Sequence, residues 1–449
     1  MSEVFGSVWW LIVTLGVLIT FHEFGHFVVA RRCGVKVLRF SVGFGKALWS
    51  RRDRHGTDFV IAAIPLGGYV KMLDEREGDV DPADLGHAYN RKPVLQRMAI
   101  SAAGPAFNLI FTLAAFWLVL MIGKPDYQPI VAAPSGLAAE AGFEAGDRIV
   151  KIGDASVSTW TGALETLALR SVDAKPVDVT VRTAGGAEVV RKLALDRLSD
   201  SSDIEKSLPE IGLKLRAPVP PAIAAKVSSG MPAAAAGLES GDRILAVNGT
   251  PIADFAALGE TIQKEAAKSP TLAFKVQRGT SQIDLSVHAV QQPADKGTPA
   301  RWVAGIEAPD THDALLRQGP LSALPAAFKE TWHRAGDMLA LLGQIVTGHA
   351  STKNISGIIS IGQAANTSAQ MGLGWFLDFL AMVSLSLAVM NLLPIPILDG
   401  GHLLYYLIEL VKGSPVSERT QVAGQYVGLM LLVALMGLAF YNDILRIAS

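Results

Sequence analysis

Cysteine is almost missing. Cys33 is the only one in 449 residues, so no disulfide can form within the chain, and any metal site must be built from imidazole and carboxylate rather than thiolate. Charge is scarce too: 18% of the residues are charged against 50% hydrophobic, a balance foreign to a water-soluble protein of this length. The net charge of −1 leaves no basic excess, and no nucleic-acid partner is expected. No Lys or Arg precedes Arg31 and no small-residue cleavage site follows the first apolar run, so residues 1–30 are expected to be retained rather than removed as a leader.

What the sequence has instead is long apolar runs. Residues 1–30, 98–123, 374–402 and 424–442 each supply about the 20 residues that a 30 Å hydrocarbon core demands. The expected fold is a polytopic α-helical membrane protein with four transmembrane spans. Orientation follows from the basic residues: thirteen Lys and Arg lie between Arg31 and Arg97 and none before them, which assigns residues 31–97 to the cytoplasm and the N-terminus to the outside. The C-terminus then returns outside, and residues 403–423 form a cytoplasmic link.

Inside the first run stands His22-Glu23-Phe24-Gly25-His26. On a helix, positions i and i+4 share a face, so His22 and His26 can offer two nitrogens to one Zn²⁺, and Glu23 is placed as general base for the hydrolytic water. Ionisable groups in hydrocarbon cost several kcal/mol and mark function by default. A helix entering from outside at Val8 carries His22 about 20 Å inward at 1.5 Å per residue, past the midplane toward the cytoplasmic half.

The loop 31–97 holds two Gly-punctuated, β-rich runs, one containing Gly43-Phe44-Gly45 and the other Gly67-Gly68-Tyr69, expected to form membrane-associated hairpins that dip toward the site. In the second run of the bilayer, Gly104 permits close helix approach. Asn108 is a polar side chain in hydrocarbon that should find a partner across the bundle or contact substrate. Between the second and third spans the composition becomes that of a soluble protein and repeats: residues 138–149 recur 95 positions later as 233–244, each with an A-G-x-x-x-G-D-R-I core. These stretches resemble PDZ domains, so residues 124–220 and 221–310 are expected to form two extracytoplasmic PDZ-like α+β domains. Residues 311–373 read as broken amphipathic helices on the outer membrane surface.

Two histidines leave zinc needing a third protein ligand. The preferred candidate is Asp399, after Pro394 and Pro396 have broken the third span, with His402 as its rival. Taken together, H-E-x-x-H, G-P-x-x-N, N-x-x-P-x-P-x-L-D-G and the tandem insert resemble the site-2 protease family of intramembrane zinc metalloproteases over nearly the whole chain. That resemblance implies one Zn²⁺ on His22, His26 and Asp399, Glu23 as acid/base, Asn391 holding substrate, and the glycine runs pairing with an unwound substrate strand. It implies single-pass membrane proteins as substrates, of the pre-trimmed anti-sigma factor type and with remnant signal peptides, at a bacterial inner membrane. One departure is Ile358, where such proteins commonly have proline. Two other classes compete: a PDZ membrane scaffold with a vestigial metal site, against which the intact Glu23 and ligand set argue, and a metal transporter, which would spread ionisable groups along several spans.

The topology is testable on the intact chain. Cys33 should react with an impermeant maleimide from the cytoplasmic side alone, and a cysteine replacing Asn248 from the outside alone; the reverse pattern overturns the orientation.

Overall fold

The computed structural model describes residues 2–293 and 300–448; residues 294–299, within the expected second domain, lie outside the described residues. The chain opens with α1 (Ser2–Arg32), β1 (Val37–Arg52), β2 (Asp58–Met72), α2 (Val94–Ile122) and β3 (Lys124–Asp126). A first mixed unit follows: α3 (Gly136–Glu140), β4 (Arg148–Ile152), β5 (Ala155–Ser156), α4 (Trp160–Val172), β6 (Val177–Arg182), β7 (Glu188–Leu193) and α5 (Ile204–Ile211). The second contains β8 (Lys226–Val227), α6 (Pro232–Ala235), β9 (Arg243–Val247), β10 (Thr250–Pro251), α7 (Phe255–Ala266), β11 (Thr271–Arg278), β12 (Ser281–His288), β13 (Val290–Gln292), β14 (Arg301–Val303) and β15 (Ile306–Glu307). The chain closes with β16 (Ala314–Leu316), α8 (Pro320–Val346), α9 (Ile358–Gln370), α10 (Leu373–Leu392), α11 (Asp399–Lys412) and α12 (Glu418–Ala448).

Among the described residues four helices are long and apolar enough to cross a membrane: α1, α2, α10 and α12. Their bounds differ from the expected runs for local reasons. α2 begins at Val94 rather than 98, directly after Pro93, which stands at its N-cap. The third run is not one segment through 402: α10 stops at Leu392, residues 393–398 are non-helical around Pro394 and Pro396, and Asp399 starts a new helix. The expected link 403–423 is mostly helix, since α11 continues to Lys412, is closed by Gly413 at φ 78°, and α12 already begins at Glu418.

The two inserted units repeat in three dimensions. Their sheets have the orders β5-β4-β6-β7 and β10-β9-β11-β12, and alternate residues of β6 and β11 are buried, as a one-sided sheet requires. The Gly-Asp turn explains its own recurrence. Asp147 and Asp242, each 1% exposed, accept the amides of Glu144 and Glu239 at 3.1 and 2.9 Å and pair with Arg191 and Arg278. The insert leaves and rejoins the bundle side by side, because β3 pairs with β16 in the register Asp126↔Ala314.

Residues 311–373 are helical as expected but less broken. α8 is one unbroken helix despite Pro325, which lies near its start, where only one backbone bond is forfeited. α9 does not lie free on a surface; it packs on the start of α1, where a Cβ on Gly362 would sit 3.2 Å from the Ser7 carbonyl oxygen and one on Gly6 would strike Asn366. Asp443 of α12 caps it. The carboxylate accepts from the amides of Gly357, Ile359 and Ser360 at 3.0, 2.9 and 3.3 Å and from Ser360 Oγ at 2.5 Å.

Ile358 is the first residue of α9, after Gly357 in extended conformation. A proline fits there, since an N1 amide has no helical partner and the residue before it is already extended. Ile358→Pro should therefore leave thermal unfolding of the intact protein unchanged or raise its stability by less than about 1 kcal/mol. Asp443→Ala should lower it by about 1–2 kcal/mol through the lost cap.

Candidate metal centre

α1 and α2 cross at two glycines. A Cβ on Gly25 would lie 2.4 Å from the Ala103 carbonyl oxygen, and one on Gly104 would intrude on His26 Nε2 and His22 Nε2 at 2.3 and 2.7 Å. Only hydrogen at position 104 lets α2 close over the two histidines while leaving their nitrogens a common space.

The third group arrives from the broken segment. Gly400 and Gly401 let the first turn of α11 tuck beneath the preceding loop, since Cβ atoms there would lie 2.2 Å from the Leu393 carbonyl oxygen and 2.4 Å from that of Ile395. Ile397, a β-branched residue at φ 92°, is held in strained backbone two positions before Asp399. α12 backs the loop through Gly424-x-x-x-Gly428: a Cβ on Gly428 would fall 1.7 Å from the Pro396 carbonyl oxygen.

The outcome is a triangle of ligand atoms. His22 Nε2 lies 3.2 Å from His26 Nε2 and 3.2 Å from Asp399 Oδ2, and His26 Nε2 lies 3.5 Å from that same oxygen. Tetrahedral zinc with bonds of about 2.0–2.2 Å separates its ligands by about 3.3–3.6 Å. The protonation pattern agrees. His26 Nδ1 is 2.7 Å from the Ile100 carbonyl oxygen, which can only accept, so Nδ1 carries the proton and Nε2 turns its lone pair inward. Asp399 Oδ2 is buried with no hydrogen-bond partner among the described residues. With both imidazoles in the Nδ1–H form, three lone pairs converge on one point, a donor set that fits a cation. His22, His26 and Asp399 are the one such group among the described residues. His402, the rival ligand, is outside it, with its ring 6.5 Å from that of Tyr406.

Glu23 is mostly buried beside the triangle and faces the backbone amide of Val70 in β2. The two glycine runs form one folded sheet rather than separate hairpins. β1 and β2 pair antiparallel, but both strands bend, so residues 39–42 face 68–71 on one side and 58–61 on the other. The bends fall at Gly43 (φ 92°), Gly45 (φ 87°) and Gly67 (φ 147°), and Phe44 stacks on Tyr69 with ring centroids 6.2 Å apart. Gly68 lies at the carboxylate itself: a Cβ there would be 3.3 Å from Glu23 Cγ.

Asn391 is half-buried in the last turn of α10. Asn108, expected to find a partner across the bundle or to contact substrate, is 0% exposed with its amide nitrogen 3.2 Å from His22 Nδ1 of α1, which leaves no face open to a substrate. The short-range polar partners Ile100 and Val70 act through backbone atoms, which no residue identity announces. The Gly424-x-x-x-Gly428 spacing, by contrast, is readable in the sequence and was not among the expected features.

Residues 10–435 match the model of peptidase family M50. The chain belongs to that family. It is 46% identical over 449 residues to a protein of Xylella fastidiosa (strain 9a5c) whose name places it among zinc metalloproteases, covering 99% of this chain and 100% of that one. It is 41% identical over 447 residues to the Regulator of sigma-E protease RseP of Escherichia coli (strain K12), with 97% and 98% covered. To the Protease RseP of Yersinia pestis it is 40% identical over 454 residues, with both chains fully covered. As an M50 peptidase the protein is a membrane-embedded metalloendopeptidase that uses Zn²⁺.

Base and ligands should separate on mutation. Glu23→Gln is expected to retain about one zinc per chain by elemental analysis while cleavage falls about 10²- to 10⁴-fold. His22→Ala, Asp399→Ala and Gly104→Ala should lose metal, the last by steric intrusion; full occupancy in Asp399→Ala would transfer the third ligand position to His402.

Proposed function

We propose that this M50 peptidase cuts transmembrane segments of single-pass membrane proteins, with His22, His26 and Asp399 as its zinc ligands and Glu23 as its acid/base. The observation that carries the reading is the triangle of converging ligand atoms from α1 and α11, with the Glu23 carboxylate beside it. Bound zinc supplies Lewis acidity, polarising a carbonyl and bringing the pKa of water near 7. Glu23 takes the proton of the attacking water as the C–O bond forms and delivers it to the departing nitrogen as the C–N bond breaks.

Substrate must lose its helix before its backbone can reach the site. The folded sheet supports this step: residues 68–72 form an edge strand whose Val70 amide faces Glu23, so a strand added there would run along the carboxylate. Gly43, Phe44, Gly45, Gly67, Gly68 and Tyr69 shape that end of the sheet, and Asn391 borders the broken segment that carries Asp399. Substrates of the pre-trimmed anti-sigma factor type fit this reading, by likeness to relatives named for sigma-E regulation, and remnant signal peptides share the required chemistry of a short apolar helix. The protein then works at the bacterial inner membrane, with the site toward the cytoplasmic half and the insert and termini on the periplasmic face.

The two inserted units, 124–220 and 221–310, are read as PDZ-like domains that filter substrates by size above the site. Among the described residues they contribute no group that could hold a metal. Because Asp126 and Ala314 are already paired, residues 127–307 can be removed with 308–313 closing the gap. In a purified-protein assay with and without a zinc chelator, that deletion should still cleave a short single-span substrate and should newly cleave one carrying a folded outer domain. A deletion variant that folds, binds zinc and still refuses the bulky substrate refutes the filter.

A further inference from the structure

Asn108 is the polar side chain on α2 that the hydrolytic scheme leaves without a task. It is fully buried at the junction of three membrane helices. Its backbone carbonyl accepts Thr112 Oγ1 and Ser384 Oγ, each at 2.9 Å, and its side-chain nitrogen faces His22 Nδ1 at 3.2 Å. Its side-chain oxygen has no hydrogen-bond partner among the described residues.

As it stands, this contact places an N–H donor on His22 Nδ1, which would make Nδ1 the acceptor and put the ring proton on Nε2. Nε2 is the atom that lies 3.2 Å from both His26 Nε2 and Asp399 Oδ2, where a proton would exclude a metal. Turning the Asn108 amide by half a rotation exchanges its two ends and resolves the conflict: Oδ1 then accepts Nδ1–H and the Nε2 lone pair faces the centre. We propose that Asn108 is the positioning residue for His22, its amide oxygen fixing in that ligand the tautomer that the Ile100 carbonyl fixes in His26. The two histidines are thus held by the same helix, α2, one through a carbonyl of the backbone and the other through a carbonyl of a side chain. The inference rests on the ligand set proposed above.

The test is zinc affinity of the full-length, detergent-solubilised protein, measured by competition with a chromophoric chelator, with unfolding of the metal-free protein as a second readout. Asn108→Leu, which keeps bulk and loses the acceptor, should weaken zinc binding about 10- to 100-fold without lowering the metal-free unfolding temperature. Asn108→Asp, which keeps an acceptor at that place, should restore affinity to within a few-fold of the native chain; this rescue is what a purely structural asparagine would not give. Should Asn108→Leu bind zinc as tightly as the native protein, or Asn108→Asp as poorly as Asn108→Leu, the positioning role is refuted. His22→Ala is the arm for the underlying ligand set: if it retains zinc, the assignment of His22 itself fails, whatever Asn108 does.

Discussion

Everything in the membrane part of this protein answers to the cost of keeping two imidazoles and a carboxylate away from bulk water. Side chains of His22, His26 and Asp399 are 14%, 12% and 18% exposed, in a bundle whose surroundings are apolar. In such surroundings a carboxylate without a counter-charge is expensive, and a pair of lone pairs facing each other is repulsive. A bound cation removes both costs at once, so occupation of the site and cohesion of the bundle are one energetic problem. The three groups come from α1 and from the head of α11, and α2 lies between them with a glycine where any side chain would fill the space.

That demand explains where the backbone breaks its own rules. Non-helical chain among apolar helices needs cover from protein, and residues 393–398 are covered on one side by the first turn of α11 and on the other by α12. Each cover is made by glycines, because the neighbours leave no room for a Cβ: Gly400 and Gly401 lie against the Leu393 and Ile395 carbonyls, Gly428 against that of Pro396, and Gly424 against the Tyr405 hydroxyl. Further along α11 a polar cluster holds the helix in place. Arg97 of α2 pairs with Glu409 at 2.6 Å and stacks over Tyr406, whose hydroxyl meets that of Tyr89 at 2.8 Å. Since Asp399 is the first residue of that same helix, contacts at 406 and 409 set its direction.

The legible part of this architecture is the part written in side-chain chemistry at fixed spacing. His22, Glu23 and His26 are visible because i and i+4 share a helical face, and Asp399 because two prolines before it forbid a continuous helix. The repeat was readable because Gly146-Asp147 and Gly241-Asp242 make the same side-chain-closed turn. What stayed hidden depends on backbone atoms and on which strand faces which. The two strands of residues 37–72 could be expected, but their folding back, so that 39–42 have partners on both sides, is decided by positive-φ bends whose direction no residue type specifies. Residues 403–423 read as a link and are mostly helix, because an amphipathic helix has neither the length of a span nor the polarity of a loop. Asn108 stands out in the sequence as a polar side chain in an apolar run, yet only the fold shows that it points at His22 Nδ1 rather than at a cavity.

The insert is joined to the bundle by charge as well as by chain. Arg334 of α8 reaches Glu165 of α4 at 3.1 Å and Glu330 of its own helix at 2.5 Å, and its guanidinium stands 5.6 Å over the ring of Phe116 in α2. Nearby, Lys124 binds Asp378 of α10 at 3.1 Å and lies over Trp375. Burial pushes the Glu165 carboxyl above the ordinary carboxylate range in spite of these cations. A network of this kind adds little net stability, because desolvation consumes most of the attraction, but it tolerates few alternative arrangements since each misplacement strands a charge. Its effect is therefore on geometry: it ties the first inserted unit to α8 and through Phe116 to α2, the helix that also carries Gly104 and Asn108. The position of the first inserted unit and the closure of the metal centre thus share a single helix, with Phe116 about two to three turns beyond Gly104 and Asn108.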